Sequence, residues 1–160
     1  MTPPRERSGR PDDAAAIASL VRRTSGPALL SPDGAGAEPY FASVSEAAER
    51  GYLADPRYRF RVLVDESDHL VAFGATRDRT HLFHLFVEPG WQGRGLARVL
   101  WRSLLAETRA GGGPGAMTVN STLPAIPVYT RFGFLPVGDV MRVHGIAFQP
   151  MRLEPPVDGE

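Results

Sequence analysis

The sequence predicts a single domain of mixed α/β architecture (α+β), and three observations carry that prediction. Two strand-like runs, Arg57–Val64 and Leu70–Thr76, flank the polar turn Asp65-Glu66-Ser67-Asp68 and so form a hairpin. A further run, His81–Val87, passes through a glycine turn into an amphipathic helix and on to another strand at Ala116–Val119. The chain has 160 residues, the length of one domain with a core of its own, and residues 1–160 are expected to form one unit.

The elements follow in order. Residues 1–10 are polar, with room for a short edge strand. Pro11-Asp12-Asp13 marks a helix start, with a carboxylate placed to cap free N–H groups, and Ala14, Ile17, Leu20 and Val21 recur at helical spacing. Residues 25–39 hold three glycines and three prolines, which predicts a long loop. Tyr40–Leu53 reads as one helix, with Phe41, Val44, Ala48 and Tyr52 on one side. In the first hairpin strand Tyr58, Phe60, Val62 and Val64 alternate with Arg57, Arg59 and Arg61, the period of a half-buried strand; those arginines face solvent or an acidic acceptor. The helix after the glycine turn carries Leu96, Val99, Leu100, Leu104 and Leu105 on one face and ends in the connector Gly111-Gly112-Gly113-Pro114-Gly115. A strand at 116–119, a short helix at Ala125–Phe132 and one or two strands between Leu135 and Leu153 complete the chain.

Composition removes several function classes. The formal net charge is +0, whereas a sequence-independent nucleic-acid binder needs a basic surface. All 18 basic residues are arginine. Without lysine there is no Walker A phosphate loop and no Schiff-base catalyst. With Cys 0 there is no disulfide framework, thiolate nucleophile or cysteine zinc site. No His, Asp or Glu spacing suggests a metal. No apolar run reaches the roughly 18 residues of a membrane span, and the Arg- and Pro-rich start does not resemble a secretory signal. A cytoplasmic protein without membrane or nucleic-acid partners is expected.

The segment from Leu85 to Ala97 is the most informative. It orders an apolar strand, a Pro-Gly corner, a glycine-spaced turn and a helix start. The first N–H groups of a helix lack internal partners and carry the positive end of its dipole, so this order makes an anion site. Gly93 and Gly95 leave no side chain between those donors and a pyrophosphate. A nicotinamide dinucleotide is not the expected ligand, because Arg98 stands where that fingerprint needs a small residue and no βαβ unit opens the chain.

Two segments together resemble the GNAT superfamily of acyl-CoA-dependent N-acyltransferases. Leu85–Ala97 is similar to the family's strand and pyrophosphate loop, with Gln92, Gly95 and Ala97 at the marked places; Val119–Phe134 is similar to its segment ending in Tyr-x-x-x-Gly-Phe. His144–Met151 also resembles the last strand of many members, so the clear resemblance covers residues 81–153. It implies a mixed central sheet of about six or seven strands flanked by helices. It also implies a splayed strand pair forming a coenzyme A cleft, with acetyl-CoA as acyl donor and no metal.

The resemblance assigns residues as well. Backbone groups of Leu85, Phe86 and Val87 would bind pantetheine. The N–H groups of Gln92, Gly93, Arg94, Gly95, Leu96 and Ala97 would hold the pyrophosphate, with charge from Arg94 and Arg98 nearby. Asn120 would bind the cofactor or an ordered water, or serve only as a strand-end polar residue. Tyr129 would protonate the leaving sulfur, although Val128, Tyr129 and Phe132 also suffice as the apolar face of a short helix. His84 is the expected general base. His81 and His84 point to opposite faces of a regular strand, unless a bulge intervenes. Relatives often carry an acidic residue here; none lies between Thr80 and Val87, so a water relay is the alternative. The expected function is acetyl transfer to a primary amine of a small molecule or peptide by direct attack. The alternatives are a non-catalytic acyl-CoA-binding module and an interaction protein, one partner of a homodimer formed by the C-terminal strands.

Overall fold

The structure, a computed structural model, describes residues 2–112 and 115–155; Gly113 and Pro114 of the expected connector lie outside them. Eight strands form the sheet: β1 (Arg5–Ser8), β2 (Tyr58–Val64), β3 (Leu70–Arg77), β4 (His81–Val87), β5 (Met117–Ser121), β6 (Leu135–Pro136), β7 (Met141–Val143) and β8 (Ile146–Leu153). Their order is β1-β2-β3-β4-β5-β8-β6, with β7 also paired to β8. The count exceeds the expected six or seven because the C-terminal tail folds back twice in short pieces. Both pieces add to β8, at Leu135↔Arg152 and Met141↔Phe148.

Five α-helices flank the sheet: α1 (Ala14–Thr24), α2 (Glu38–Ser43), α3 (Glu46–Ala54), α4 (Leu96–Ala110) and α5 (Ile126–Arg131). Ile17, Leu20 and Val21 of α1 pack with Val44 on Phe60, Val62, Val64, Phe73 and Ala75, closing one face. Leu96 and Leu100 of α4 meet Leu63, Val71 and Ala72 on the other, while Trp101 and Leu104 join Met117, Val119, Phe134 and Met151. Each buried aliphatic or aromatic side chain of this kind contributes roughly 1.5–3 kcal/mol.

Two local expectations are corrected and one is met. The single helix expected at 40–53 is two, because Ser45 adopts extended backbone and its hydroxyl accepts the Ala48 N–H at 3.2 Å, capping a new helix. The carboxylate cap expected at the helix start is present, with Asp13 closing on the N-cap residue Arg10. The Asp13 carboxylate accepts the Arg10 N–H at 2.9 Å and the Arg7 guanidinium at 2.8 and 2.9 Å. Val99 is 44% exposed, and the buried stripe of α4 is Leu96, Leu100, Trp101, Leu104 and Thr108. The stripe recurs every four residues and drifts away from position 99.

Two irregularities in β4 shape the centre of the molecule. Its register with β3 passes from Thr76↔Leu82 to Ala75↔His84, so Phe83 is an extra residue, a β-bulge. Phe83, His84 and Phe86 consequently face the α1–α3 layer, while Leu82, Leu85 and Val87 face α4. The parallel pairing of β4 with β5 runs only through His81↔Thr118 and Leu82↔Val119. Beyond those residues the two strands diverge.

Candidate active site

The divergence opens a cleft of about 700 Å³. Residues 82–87 of β4 form one side, and Val119, Asn120 and Thr122 at the end of β5 form another. The turn before α4, residues Thr24 and Pro27 beside the end of α1, and the inner face of α5 complete it. All the residues predicted from the sequence line this cleft except Arg94. The Arg94 guanidinium instead lies 4.9 Å from the centre of the Trp91 ring and donates to the Gly90 carbonyl at 3.3 Å. Arg98 is the cation that reaches the cleft from α4.

Main-chain atoms dominate the mouth. A 3-10 turn at Pro89–Trp91 carries the chain off β4, and Gly93 and Gly95 adopt φ of +77° and +78°, the left-handed region that disfavours side chains. Gly95 is the N-cap residue of α4, and no side chain caps that helix. The N–H groups of Gly93, Gly95, Leu96 and Ala97 have no protein partner among the described residues. The Gln92 side-chain amide donates to the Val87 carbonyl at 3.1 Å, tying the turn to the strand. Leu85, Phe86 and Val87 pair with β3 on one side only, at Gly74, Phe73 and Ala72. Among the described residues no strand pairs with their other edge, where β5 has diverged and the Gln92 side chain holds the Val87 carbonyl.

His84 sits deeper, 6% exposed, among the rings of Phe60, Phe73, Phe83 and Phe86 at centroid distances of 6.1, 5.5, 4.2 and 5.7 Å. Its Nε2 lies 2.7 and 2.9 Å from the two oxygens of Glu49, a fully buried carboxylate on α3. Reasoning from the sequence missed Glu49, because the acidic residue was sought along β4. A signal existed: Glu49 shares the i, i+3, i+4 stripe of Tyr52 and Leu53, where an apolar residue belongs. His84 Nδ1 makes no hydrogen bond. Nε2 is the only ring nitrogen of His84 that holds a hydrogen bond among the described residues, and His84 is one of the residues that line the cleft.

The same reasoning applies to Tyr129. Its ring packs edge-on against Phe132 and Phe134 at 6.1 and 5.9 Å, which satisfies the packing role. Its hydroxyl has no hydrogen-bond partner among the described residues, and Tyr129 lines the cleft. Burial pushes the phenol pKa up, so it stays a protonated donor. His81 has a different place. Its Nδ1 lies 2.8 Å from Thr118 Oγ1, bridging β4 to β5, and burial with nearby Arg77 and His84 lowers its pKa to about 4. A base that weak accepts little proton at neutral pH. Arg57 and Arg61 are bound to the chain's own carboxylates, Asp78 and Glu6, at 2.9 Å each.

The site is thus a central parallel strand pair that splays over a helix N-terminus, with titratable side chains in the opening. The chain belongs to the acetyltransferase (GNAT) domain family, whose family model matches residues 29–155. That match begins well before residue 81, where the visible motifs start. No curated protein matches the chain. Among solved structures, a GCN5-related N-acetyltransferase from Rhodopseudomonas palustris superposes with a TM-score of 0.76 at 19% identity, covering 96% of each chain. The PaiA N-acetyltransferase from Thermoplasma acidophilum, in complex with coenzyme A, gives 0.74 at 14% identity, with 96% and 99% coverage. The ribosomal-protein-S18-alanine N-acetyltransferase from Escherichia coli gives 0.70 at 22% identity, with 98% and 97% coverage. These likenesses establish the fold. Among the described residues no group of three His, Cys, Asp or Glu could hold a metal, and no helix is long and apolar enough to cross a membrane.

Proposed function

We propose that the chain is an N-acetyltransferase that moves an acetyl group from acetyl-CoA to a primary amine of a small molecule or peptide by direct attack in a ternary complex. One observation carries the reading. The unpaired N–H groups at the start of α4 adjoin a strand edge that β5 leaves unpaired, in the cleft that also holds His84 and Tyr129. Diphosphate on the amides of Gly93, Gly95, Leu96 and Ala97 would be held by main chain and by the helix dipole, whereas the Gln92 N–H, expected to join them, donates to the Pro89 carbonyl at 3.3 Å. The pantetheine amides would continue the sheet along Leu85, Phe86 and Val87, and Asn120 lies at the opposite rim.

The amine nitrogen attacks the thioester carbonyl carbon, forming C–N as C–S breaks. The amine proton passes to His84 Nδ1 and the Tyr129 hydroxyl proton passes to the departing sulfur, giving amide and thiol. His84 and Tyr129 then recover their resting states through solvent. Binding and orientation by the cleft supply the remaining advantage. Glu49 supplies, from α3, the acidic residue that β4 lacks beside His84, which supports the catalytic reading over a non-catalytic module.

A panel of amines incubated with acetyl-CoA and read by release of free thiol tests the proposal. Amine-dependent thiol release is expected. Absence of acetyl-CoA binding in calorimetry overturns it, and binding without turnover on any amine leaves the binding module as the better description.

A further inference from the structure

We infer that Glu49 is a positioning residue, which fixes the tautomer of His84 so that Nδ1, the ring nitrogen that Glu49 does not hold, receives the proton of the attacking amine. The inference rests on the acetyltransferase reading for its chemistry, and on the resting geometry for everything else.

One hydrogen lies between Nε2 and the Glu49 oxygens at 2.7 and 2.9 Å, and with Glu49 as the carboxylate, which only accepts, that hydrogen is on Nε2. In the neutral ring the lone pair then resides on Nδ1. The imidazole has no other polar partner among the described residues, and its rim is aromatic, so nothing competes with Glu49 for its orientation. As Nδ1 takes a proton, the new cation forms against an anion already in place.

A structural purpose explains the pair poorly. Taking a carboxylate out of water costs several kcal/mol, and buried pairs are often matched or bettered by well-packed apolar residues of similar volume. Glu49 occupies the core-facing stripe of α3, beside Tyr52 and Leu53, where an apolar residue would serve packing alone. The charged and titratable groups around the pair are Tyr40 of α2, Tyr52 of α3, His81 of β4 and Arg77 of β3. The two tyrosines feel the Glu49 charge, and none of the four bonds the imidazole.

The test uses the full chain. In the unaltered protein, nitrogen-detected NMR of the His84 ring should show Nε2 protonated and Nδ1 bare; the opposite tautomer overturns the inference whether or not turnover has been found. Glu49→Gln should lower kcat about 10- to 100-fold, leave the KM for acetyl-CoA within about twofold, and move the acid limb of the kcat/KM profile to lower pH, since an anion beside the base is lost. In a His84→Gln background, whose amide still donates to Glu49, the same change should add less than about twofold. An equal loss with and without His84, or an unmoved acid limb, marks Glu49 as merely structural and overturns the inference. Failure of the acetyltransferase reading shows differently, as absence of thiol release in the unaltered protein while the ring tautomer is still read.

Discussion

Residues 85–97 and the pair His84–Glu49 adjoin on β4, yet they are built by opposite means. The loop segment offers main-chain atoms: a strand edge that β5 leaves unpaired, two left-handed glycines and unpaired N–H groups. The pair offers side chains, contributed by elements 35 residues apart and held by a bulge on one and a helix face on the other. A site made of backbone tolerates changes that leave φ, ψ and space intact, and fails when a side chain enters. A site made of side chains behaves inversely. The proposed function gives cofactor binding to the first region and proton handling to the second.

The largest expected effect is on the loop. Gly95→Trp puts a bulky side chain at φ +78° directly over the amides, and calorimetry should show acetyl-CoA affinity falling more than about 100-fold. Open space surrounds that position, so the fold itself should survive, as checked by circular dichroism. Unchanged affinity would remove the loop from the binding account. Next comes Tyr129→Phe, which keeps the packing against Phe132 and Phe134 while deleting the donor. Turnover should fall about 10- to 100-fold with acetyl-CoA affinity nearly intact; full activity would end its role as acid.

The same contrast explains how much could be read from the sequence. The loop is contiguous, and glycine has few reasons to recur at 93 and 95, so composition and order alone announce it. The hairpin and the α4 helix were equally open to reading, because a period of two or 3.6 is a local property. Glu49 was not, since no local rule brings a helix residue to a strand residue 35 positions away. A bulge between His81 and His84 is an open expectation of the sequence, but its presence is not local: the two sit three apart whether or not the strand is regular, and only pairing with β3 places the extra residue at Phe83. The break at Val44–Ser45 had a visible cause, the capping serine, that a continuous apolar stripe obscured.

A smaller effect separates the two histidines. His81 is held at about 4 by burial, with Arg77 and His84 adding to it, whereas an unfolded chain takes up this proton near pH 6.5. The unfolded state therefore binds more protons between those values. Stability from this group is complete above about pH 6.5 and declines as the pH falls towards 4, by on the order of 1–2 kcal/mol at pH 5. His81→Gln should flatten that part of the stability curve in urea titrations at pH 7 and 5, while leaving the acid limb of kcat/KM where it was. A shifted acid limb would mean that His81, not His84, takes the proton.

The smallest expected effect lies outside the cleft, and it decides what the alternating arginines of β2 are for. Arg57 directs its guanidinium at Asp78 through two bonds of 2.9 Å, and Arg61 reaches Glu6 and Ser8 at the same distance. Neither residue lines the cleft. An exposed pair of this kind is screened by solvent and salt, so Arg57→Ala should leave the melting temperature close to that of the parent and the KM for any accepted amine unchanged. A raised KM confined to acidic acceptors would put β2 on the acceptor path. It would also show that proton handling and acceptor recognition share the side-chain half of the molecule, with the backbone half left to the donor alone.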